Sequence, residues 1–275
     1  MSASTAAGLV REALAAATDA LAAAGVETPR LDAQLLLAEA TGRERAELAA
    51  HPEGGVEPTE ARMFGGMVRR RVRREPVAYI IGRKGFRGIE LAVDPRVLIP
   101  RPETELLVEL ARELRPPTVL DVGTGSGAVA LAVADEFPQV RVTATDVSEP
   151  ALQVARGNAA RLGLSNRVRF LSGSHRDGGH YALTLANLPY VSDDEWRLLE
   201  PEITAYEPRE ALVAGPTGLE AIEALISTVG RGVLALEVGA GQAPGVTSLM
   251  REAGFDALET RRDLAGIERV VVGRR

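Results

Sequence analysis

The sequence predicts an α/β protein with a separate helical bundle at its N-terminal end. From Ala6 to about Ile80 the chain is rich in Ala, Leu, Glu and Arg, which favour helices. From Pro116 onward, apolar strand-like runs alternate with glycine turns and helix-like segments. That alternation indicates a mostly parallel sheet with helices on both faces. A chain of 275 residues has room for two such domains.

The N-terminal part is predicted to consist of helices. The first has an apolar face whose residues recur at spacings of three and four, namely Val10, Leu14, Ala17, Leu21 and Ala24. Gly25 should end this helix, and Gly42 should end a second helix that begins near Thr28. A longer helix is expected over residues 57–74. We therefore predict a helical domain over residues 1–80.

The rest of the chain divides into a connector and a sheet domain. Residues 81–99 alternate apolar and polar positions like a hairpin, and we take them as the connector. Residues 100–275 should form the sheet domain. Its predicted strands cover 117–122, 140–145, 168–171, 183–186, 233–238, 257–260 and 269–272. Its predicted helices cover 128–136, 150–162, 218–229 and 244–254.

Composition excludes several classes of function. With 32 basic and 38 acidic residues the net charge is −6, which argues against binding nucleic acid through bulk charge. The absence of Cys excludes thiolate zinc sites, iron–sulfur clusters and disulfides, and we expect no metal. No apolar run reaches the length of a membrane span, and Arg11, Glu12 and Asp19 interrupt the N-terminal apolar stretch, unlike a secretory signal. We expect a cytoplasmic monomer.

A glycine turn is the most informative motif. A buried strand runs into Gly123, Gly125 and Gly127, and a helix follows at once. Such a turn lets backbone N–H groups approach a ligand at the start of a helix. The next predicted strand ends at Asp146, where a carboxylate can accept hydrogen bonds from ribose hydroxyls. Both a nicotinamide dinucleotide and S-adenosylmethionine fit this pattern.

Asp121 favours S-adenosylmethionine over the dinucleotide. A carboxylate two residues before the first glycine would repel a pyrophosphate. S-adenosylmethionine has no phosphate, and its amino group and sulfonium are favoured by a nearby carboxylate. The alternative is that Asp121 ends the strand and caps the loop. Because Asp121 and Asp146 occur together with three glycines, we predict a cofactor role for both.

The second informative motif is the Asn-Leu-Pro-Tyr loop (residues 187–190), which follows a predicted strand. The side-chain oxygen of Asn187 and the carbonyl of Leu188 can accept hydrogen bonds from an NH₂ group. Pro189 stiffens the turn, and Tyr190 offers a flat face to a planar amide or base. Two acceptors would turn the nitrogen lone pair toward a methyl donor, so that positioning replaces a strong base. The alternative is a proline-stiffened surface turn.

Four further segments complete a resemblance to the class I S-adenosylmethionine-dependent methyltransferases, and specifically to the HemK/PrmC protein-glutamine methyltransferases. They are residues 76–82 (PVAYIIG), 98–105 (LIPRPETE), 207–212 (EPREAL) and 263–269 (DLAGIER). The resemblance covers about residues 30–275 and implies a Rossmann-like methyltransferase domain. It also implies S-adenosylmethionine as cofactor. The implied acceptor is the glutamine amide nitrogen in the Gly-Gly-Gln motif of class 1 peptide chain release factors.

The resemblance assigns roles to residues of both motifs. The cofactor site would contain Asp146, Asn187 and the glycine turn, whose residues are Gly123, Thr124, Gly125, Ser126 and Gly127. Asn187 would contact both cofactor and acceptor, and Asn187 to Tyr190 would hold the glutamine. The helical domain would help to hold the protein substrate.

Two departures from the family pattern affect these assignments. Leu188 stands where the family usually has proline, which should cost rigidity but keeps the carbonyl. The same change resembles the Asn-Leu-Pro-Tyr of ribosomal-RNA adenine dimethyltransferases. Near the adenine, the usual acidic and aromatic residues are replaced by Ser174 and His175. We expect His175 to stack on the adenine, with a solvated loop residue as the alternative.

Other functions stay open at this point. Within methyl transfer, the acceptor could be a glutamine of a ribosomal protein or adenine N6 in nucleic acid. Outside it, the chain could be a nicotinamide-dependent oxidoreductase, or a binding module with a decayed site, for which Ser174 is the hint.

Three features have no settled role. The basic run at residues 69–74 is either a solvated helix face or, with Arg83, Lys84 and Arg87, a patch that contacts a release factor or ribosomal RNA. Arg101 and Glu103 are expected to fix the segment that enters the sheet domain, with a role on the substrate side as the alternative. Glu237, at the end of a predicted strand, is a loop anchor or lines the pocket, and stays unassigned.

Overall fold

The computed structural model describes residues 8–173 and 180–275, which form two compact units. The first unit contains the described residues up to Gly82 together with Pro201–Tyr206. The second contains the described parts of Arg83–Glu200 and Glu207–Arg275. Of the helices in these ranges, none combines the length and the apolar character that a bilayer crossing requires.

The first unit is helical, and the predicted N-terminal helices are confirmed. Gly42 follows the second of them with a φ of 65°, the left-handed conformation that favours glycine at a helix end. The core contains the fully buried side chains of Leu21, Leu36 and Leu37. In chain order the elements are β1 (Gly8–Leu9), α1 (Val10–Ala23), α2 (Pro29–Thr41), α3 (Arg45–Ala50), β2 (Gly55–Val56), α4 (Pro58–Val72) and α5 (Val77–Ile81), joined by the distant helix Pro201–Tyr206.

Part of the basic run at residues 69–74, which begins in α4 and continues past its end, is paired inside the first unit. Arg71 is 6% exposed and donates hydrogen bonds to Asp32 at 2.7 Å and to Glu202 at 2.8 Å. Arg74 donates to both carboxylate oxygens of Glu202, at 2.7 and 2.6 Å. Removing one member of such a pair leaves the remaining buried charge unpaired. Arg71 and Arg74 therefore stabilise this unit, and for both the alternative of an external positive patch is wrong. For the buried Arg71 the other alternative, a solvated helix face, is wrong as well.

The second unit is built on a seven-stranded sheet, which confirms the predicted α/β fold. The strands of this sheet are β5 (Thr118–Val122), β6 (Arg141–Asp146), β7 (Val168–Ser172), β8 (Leu183–Ala186), β11 (Val233–Glu237), β12 (Asp256–Arg262) and β13 (Glu268–Arg274). Two separate pairs of strands are β3 (Arg83–Phe86) with β4 (Ile89–Ala92), and β9 (Val191–Ser192) with β10 (Val213–Gly215). The remaining helices of the chain are α6 (Glu105–Leu114), α7 (Ala128–Glu136), α8 (Glu149–Arg161), α9 (Asp193–Trp196), α10 (Pro201–Tyr206, in the first unit), α11 (Glu220–Thr228) and α12 (Ala243–Glu252).

The strand order places a crevice in the middle of the sheet. The order is β12-β13-β11-β8-β5-β6-β7, and the five strands from β11 to β7 are parallel, while β13 runs antiparallel to both of its neighbours. The chain leaves β5 toward β6 on one side and returns to β8 on the other. Open α/β sheets bind ligands at such a switch point, beyond the carboxyl ends of the strands.

Strand register brings the ends of three strands together. Val122 pairs with Ala186 in β8 and with Thr145 in β6, so the residues that follow each strand lie at one edge of the sheet. Burial on both faces explains the nearly continuous apolar strands, because successive side chains enter opposite clusters. The first seven residues of helix α7, Ala128 to Ala134, are likewise buried on all sides, each at most 7% exposed.

Candidate active site

The glycine turn (residues 123–127) has the left-handed backbone that its sequence predicts. Gly123, Gly125 and Gly127 have φ values of 73°, 55° and 86°. At Gly123 an added Cβ would lie 3.0 Å from the Leu188 side chain, and at Gly127 it would lie 2.8 Å from that of Leu131. Glycine is therefore needed for conformation at all three positions and for space at two of them.

Asp121 supports this turn from within the protein. It is 2% exposed, and its Oδ2 accepts hydrogen bonds from the Thr124 hydroxyl at 2.6 Å and from the Ala130 N–H at 3.1 Å. Burial raises the pKa of Asp121 to about 6, although both hydrogen bonds oppose that rise. Among the described residues that line the cavity beside the turn, Asp121 is missing. The geometry thus matches the loop-capping alternative, and a cofactor role for Asp121 stays a prediction.

Asp146 lies at the end of β6 and does line the cavity. Its Oδ2 accepts from the Gly125 N–H at 2.8 Å, and its Oδ1 accepts from the Ser148 N–H at 2.9 Å. Burial raises the pKa of Asp146, and these backbone hydrogen bonds lower it. Since each carboxylate oxygen has two lone pairs, both oxygens can still accept from a ligand hydroxyl.

The cavity has a volume of about 490 Å³, within the range of small-molecule sites. Its walls are largely apolar, and Asp146 is the carboxylate next to the glycine turn. Thr124, Ser126 and Gly127 are predicted cofactor residues, yet the described part of the lining does not include them. The lining includes Val97, Leu98, Val122, Gly123, Gly125, Asp146, Val147, Ser148, Ala151, Gly173, Asn187, Leu188, Pro189, Ala221, Ala224 and Leu225.

The Asn-Leu-Pro-Tyr loop begins directly after β8 and forms one side of this cavity through its first three residues. The Asn187 side chain donates from Nδ2 to the hydroxyl of Thr104 at 3.0 Å. Thr104 is 4% exposed and ends the short 3₁₀ helix Pro102–Thr104. An amide that is held through its nitrogen keeps its oxygen available as an acceptor.

Tyr190 is held through both its backbone and its side chain. Its N–H donates to the Leu212 carbonyl at 3.1 Å, and its own carbonyl accepts from Gln242 at 2.8 Å. The hydroxyl donates to Glu237 Oε1 at 3.5 Å. Burial, followed by the nearby Glu237 carboxylate, raises the pKa of Tyr190, so the phenol stays protonated at neutral pH.

Glu237 is the polar residue that sequence reasoning left without a role. It ends β11 and is 2% exposed. Burial raises its pKa to about 7, with help from the Glu103 carboxylate, whereas hydrogen bonds from Thr104 and Tyr190 lower it. Within residues 8–173 and 180–275, its Oε2 has no hydrogen-bond partner. In the sequence, the position of Glu237 at the end of an apolar strand was the feature that could have indicated a functional role.

The segment before α6 is fixed by a further buried carboxylate, Glu207. Glu207 accepts hydrogen bonds from the Ile99 N–H at 3.0 Å and from the Arg101 guanidinium. This confirms the expectation that Arg101 fixes the entry to the sheet domain. Because Thr104 follows three residues later, the same contacts help to position its hydroxyl.

The expected adenine contact and the expectation of no metal both stay predictions. Ser174 and His175 lie outside the described residues, so the adenine contact stays a prediction, although Gly173 before them lines the cavity. In the part of the chain that the structure describes, no cluster of His, Asp and Glu side chains could hold a metal ion.

The chain is similar to known protein families, to individual proteins and to a solved structure. The PrmC N-terminal domain family matches residues 12–82, and a methyltransferase domain family matches residues 119–203. The release factor glutamine methyltransferase of Nitratidesulfovibrio vulgaris is 39% identical over 282 residues, covering 98% of this chain and 94% of that protein. That of Bordetella pertussis is 43% identical over 258 residues, covering 89% and 94%. A methyltransferase structure from Pyrococcus furiosus matches with a TM-score of 0.51 at 17% identity, covering 70% of this chain and 91% of that one, and shows the fold alone.

The sheet order, the glycine turn and the matched methyltransferase domain establish the class of protein: the second unit has the fold of the class I S-adenosylmethionine-dependent methyltransferases. The release factor glutamine methyltransferases named above are identical to this chain at about two residues in five, along nearly its whole length, and this identity defines the family within that class. The chain belongs to the release factor glutamine methyltransferase family.

Proposed function

We propose that this protein transfers a methyl group from S-adenosylmethionine to the side-chain amide nitrogen of the glutamine in the Gly-Gly-Gln motif of class 1 peptide chain release factors. One observation carries the proposal. The Asn-Leu-Pro-Tyr loop borders the cavity of the glycine turn, and Asn187 is held there through its nitrogen. Membership of the family supports the choice of acceptor.

The residues around the cavity fit S-adenosylmethionine. Asp146 offers acceptor lone pairs to the two ribose hydroxyls, and the apolar side chains Val147 and Leu225 offer surface to the adenine. Gly123 and Gly125 both line the cavity, and the absence of a Cβ at these positions allows a close approach of the ligand to the backbone. When bound, S-adenosylmethionine supplies a methyl group that its sulfonium has already activated.

The Asn-Leu-Pro-Tyr loop would bind the acceptor. Asn187 Oδ1 and the Leu188 carbonyl each accept one hydrogen of the glutamine NH₂ group, which turns the nitrogen lone pair toward the methyl carbon. Pro189 limits the movement of this backbone, and the ring of Tyr190 packs against the planar amide. Attack of this nitrogen would form a carbon–nitrogen bond as the carbon–sulfur bond breaks and leaves its electron pair on sulfur, and the nitrogen would then release one proton to water.

We further propose that the first unit holds the release factor and that the enzyme acts as a cytoplasmic monomer. The match of residues 12–82 to the PrmC N-terminal domain supports this role. An intact release factor should then be methylated far more efficiently than a short Gly-Gly-Gln peptide. Removal of residues 1–80 should reduce transfer to the intact factor more than transfer to the peptide, and equal losses would contradict the role.

The direct test is methyl transfer from labelled S-adenosylmethionine to a purified class 1 release factor, followed by mass spectrometry of the modified residue. We expect one methyl group on the glutamine of the Gly-Gly-Gln motif. A release factor with alanine at that glutamine is the control and should stay unlabelled. Label elsewhere in the factor, or label in an adenine-containing RNA alone, would refute the proposal. The assay with RNA tests adenine methylation, the second candidate function. It is a candidate because the Asn-Leu-Pro-Tyr tetrapeptide resembles that of ribosomal-RNA adenine dimethyltransferases.

A further inference from the structure

Methyl transfer of this kind needs Asn187 in one of its two amide orientations. A carboxamide is nearly symmetric in shape, but its oxygen accepts hydrogen bonds while its NH₂ group donates them. If Asn187 were turned around, its NH₂ group would face the NH₂ group of the acceptor, and the two donors could not bind each other. Some feature of the protein must therefore select the orientation.

Thr104 contacts Asn187 but does not suffice to select this orientation. Its hydroxyl lies 3.0 Å from Asn187 Nδ2, across 83 positions of sequence. A free hydroxyl can either accept from the Asn187 nitrogen or donate to the Asn187 oxygen. The choice depends on where the hydroxyl hydrogen goes.

Glu237 supplies that choice. Its carboxylate is an acceptor only. The Tyr190 hydroxyl donates to it at 3.5 Å, and the Thr104 hydroxyl lies near enough to lower the pKa of Glu237 by hydrogen bonding. With its hydrogen directed at Glu237, the Thr104 oxygen can only accept, so Asn187 must present Nδ2 to it. The opposite end of the amide, Oδ1, is then left for the acceptor.

The cost of burying Glu237 is consistent with this role. The side chain is 2% exposed, and of the described atoms none donates to its Oε2. A buried carboxylate with an unsatisfied oxygen destabilises a fold, so packing alone does not account for it. Glu237 acts on two residues of the Asn-Leu-Pro-Tyr loop: it contacts Tyr190 directly, and it affects Asn187 through Thr104.

We propose that Thr104 and Glu237 are positioning residues that orient the carboxamide of Asn187, with its oxygen toward the hydrogens of the acceptor nitrogen. This inference rests on the proposed function, since it assumes that Asn187 binds an acceptor NH₂ group. It predicts that transfer requires an ionised Glu237. A protonated carboxyl could donate to Thr104, which would free the hydroxyl to donate to Asn187 and reverse the amide.

The first test compares Thr104→Val with Thr104→Ser in single-turnover methylation of the release factor. Valine keeps the shape but removes the hydroxyl, and we expect the rate constant to fall about 10- to 100-fold, as for a small misplacement of a catalytic group. Serine keeps the hydroxyl and should restore most of the rate. Thr143→Val, at another buried threonine in β6, is the matched control and should keep the wild-type rate.

The second test is the pH profile of the same rate constant. The wild-type rate should rise with pH through an inflection near 7, the pKa of Glu237, and Glu237→Gln should be slower and lack that inflection. Glu103, Arg269 and Tyr190 face the same carboxylate, and Arg101 acts on Tyr190. Glu103→Gln should shift the inflection to lower pH without removing it, because Glu103 raises the pKa of Glu237.

Binding and melting measurements separate positioning from folding. The affinity for S-adenosylmethionine, measured by calorimetry, should be almost the same in wild type, Thr104→Val and Thr104→Ser. A wild-type rate in Thr104→Val, or equal losses of rate and melting temperature in both Thr104 variants, would overturn this inference alone. No transfer to glutamine by the wild type would overturn the proposed function and this inference with it.

Discussion

The two ends of the candidate site hold their carboxylates in different ways. At the glycine-turn end, where β5 and β6 finish, Asp146 accepts from the backbone N–H groups of Gly125 and Ser148. Asp121 accepts from the backbone N–H of Ala130 and from one side chain, the Thr124 hydroxyl. At the Asn-Leu-Pro-Tyr end, beyond β8 and β11, Glu237 accepts from side-chain hydroxyls. One end is thus supported mainly by backbone and the other by side chains.

This difference has a physical consequence. Backbone N–H groups move only with the chain, so the glycine-turn end is a rigid surface whose shape a ligand can use. Hydroxyl hydrogens rotate, so the orientation of Thr104 and Tyr190 depends on the charge of one buried carboxylate. We therefore expect the cofactor end to respond to changes in backbone geometry, and the acceptor end to respond to the protonation of Glu237.

The largest effect should come from removing the side chain of Asn187. Asn187→Ala should lower the rate of methyl transfer by about 100- to 1,000-fold, the usual loss for one preorganised polar group. Binding of S-adenosylmethionine should persist, since the glycine turn and Asp146 are untouched. Single-turnover kinetics measures the rate of methyl transfer, and calorimetry measures the affinity for S-adenosylmethionine. Asn166→Ala, at an exposed loop position, is the control, and near-normal turnover in Asn187→Ala would remove the amide-holding role.

The pH dependence of stability tests the buried carboxylate at the glycine-turn end. The pKa of Asp121 is raised to about 6 from 3.8, so the unfolded chain loses this proton first as pH rises. The contribution of Asp121 to stability is present below pH 4 and is lost as pH rises through 6, by about 3 kcal/mol. Asp121→Asn removes this titration. Urea denaturation from pH 4 to 7 should show wild type losing that stability relative to the variant, and a constant difference would disprove the assignment.

Asp146→Ala should weaken S-adenosylmethionine binding by about 10- to 100-fold, because it removes a charged acceptor and leaves two backbone donors without their partner. Calorimetry with the purified protein measures the change. Asp135→Ala, at an exposed position of α7, should bind normally and serves as the control. Unchanged affinity in Asp146→Ala would exclude the ribose role of this residue.

The smallest effect is expected for alanine at Gly125, where a comparison with Gly42 distinguishes the cost of backbone strain from the loss of ligand binding. Gly125 and Gly42 both have positive φ values, and neither has an atom within 4 Å of an added Cβ. Alanine at either position should cost about 1–2 kcal/mol of unfolding free energy, from strain alone. Only Gly125→Ala should also reduce the affinity for S-adenosylmethionine, because only Gly125 lines the cavity. Equal affinities in the two variants would show that the turn does not contact the ligand.

Much of the second unit was predictable because its information is local. A strand that runs into Gly123 and then into a helix follows from backbone sterics, and buried parallel strands are apolar throughout. The same holds for the first unit, where the spacing of apolar residues predicted α1 and Gly42 predicted the end of α2. Both motifs of the candidate site were also recognisable, because each follows a strand directly.

Contacts between distant segments were not predictable in this way. The hydroxyl of Thr104 reaches Asn187 only because the 3₁₀ turn before α6 lies beside the end of β8. Helix α10 belongs to the first unit, where Glu202 pairs with Arg71, although the sequence around it reads as part of the sheet domain. The role of Glu237 depends on its burial and on Tyr190, whose hydroxyl reaches it from a distant segment of the chain.

By itself, the sequence determined the α/β class, the glycine turn and the Asn-Leu-Pro-Tyr loop, since periodicity, glycine conformation and residue chemistry act within short stretches of chain. The tertiary structure decided which donors meet each carboxylate, and hence that Asp121 supports the turn while Asp146 lines the cavity. It also decided that the buried Glu237 meets the side chains of Tyr190 and Thr104. Hydrogen bonds act over about 3 Å, so partners far apart in sequence are defined only once the chain has folded.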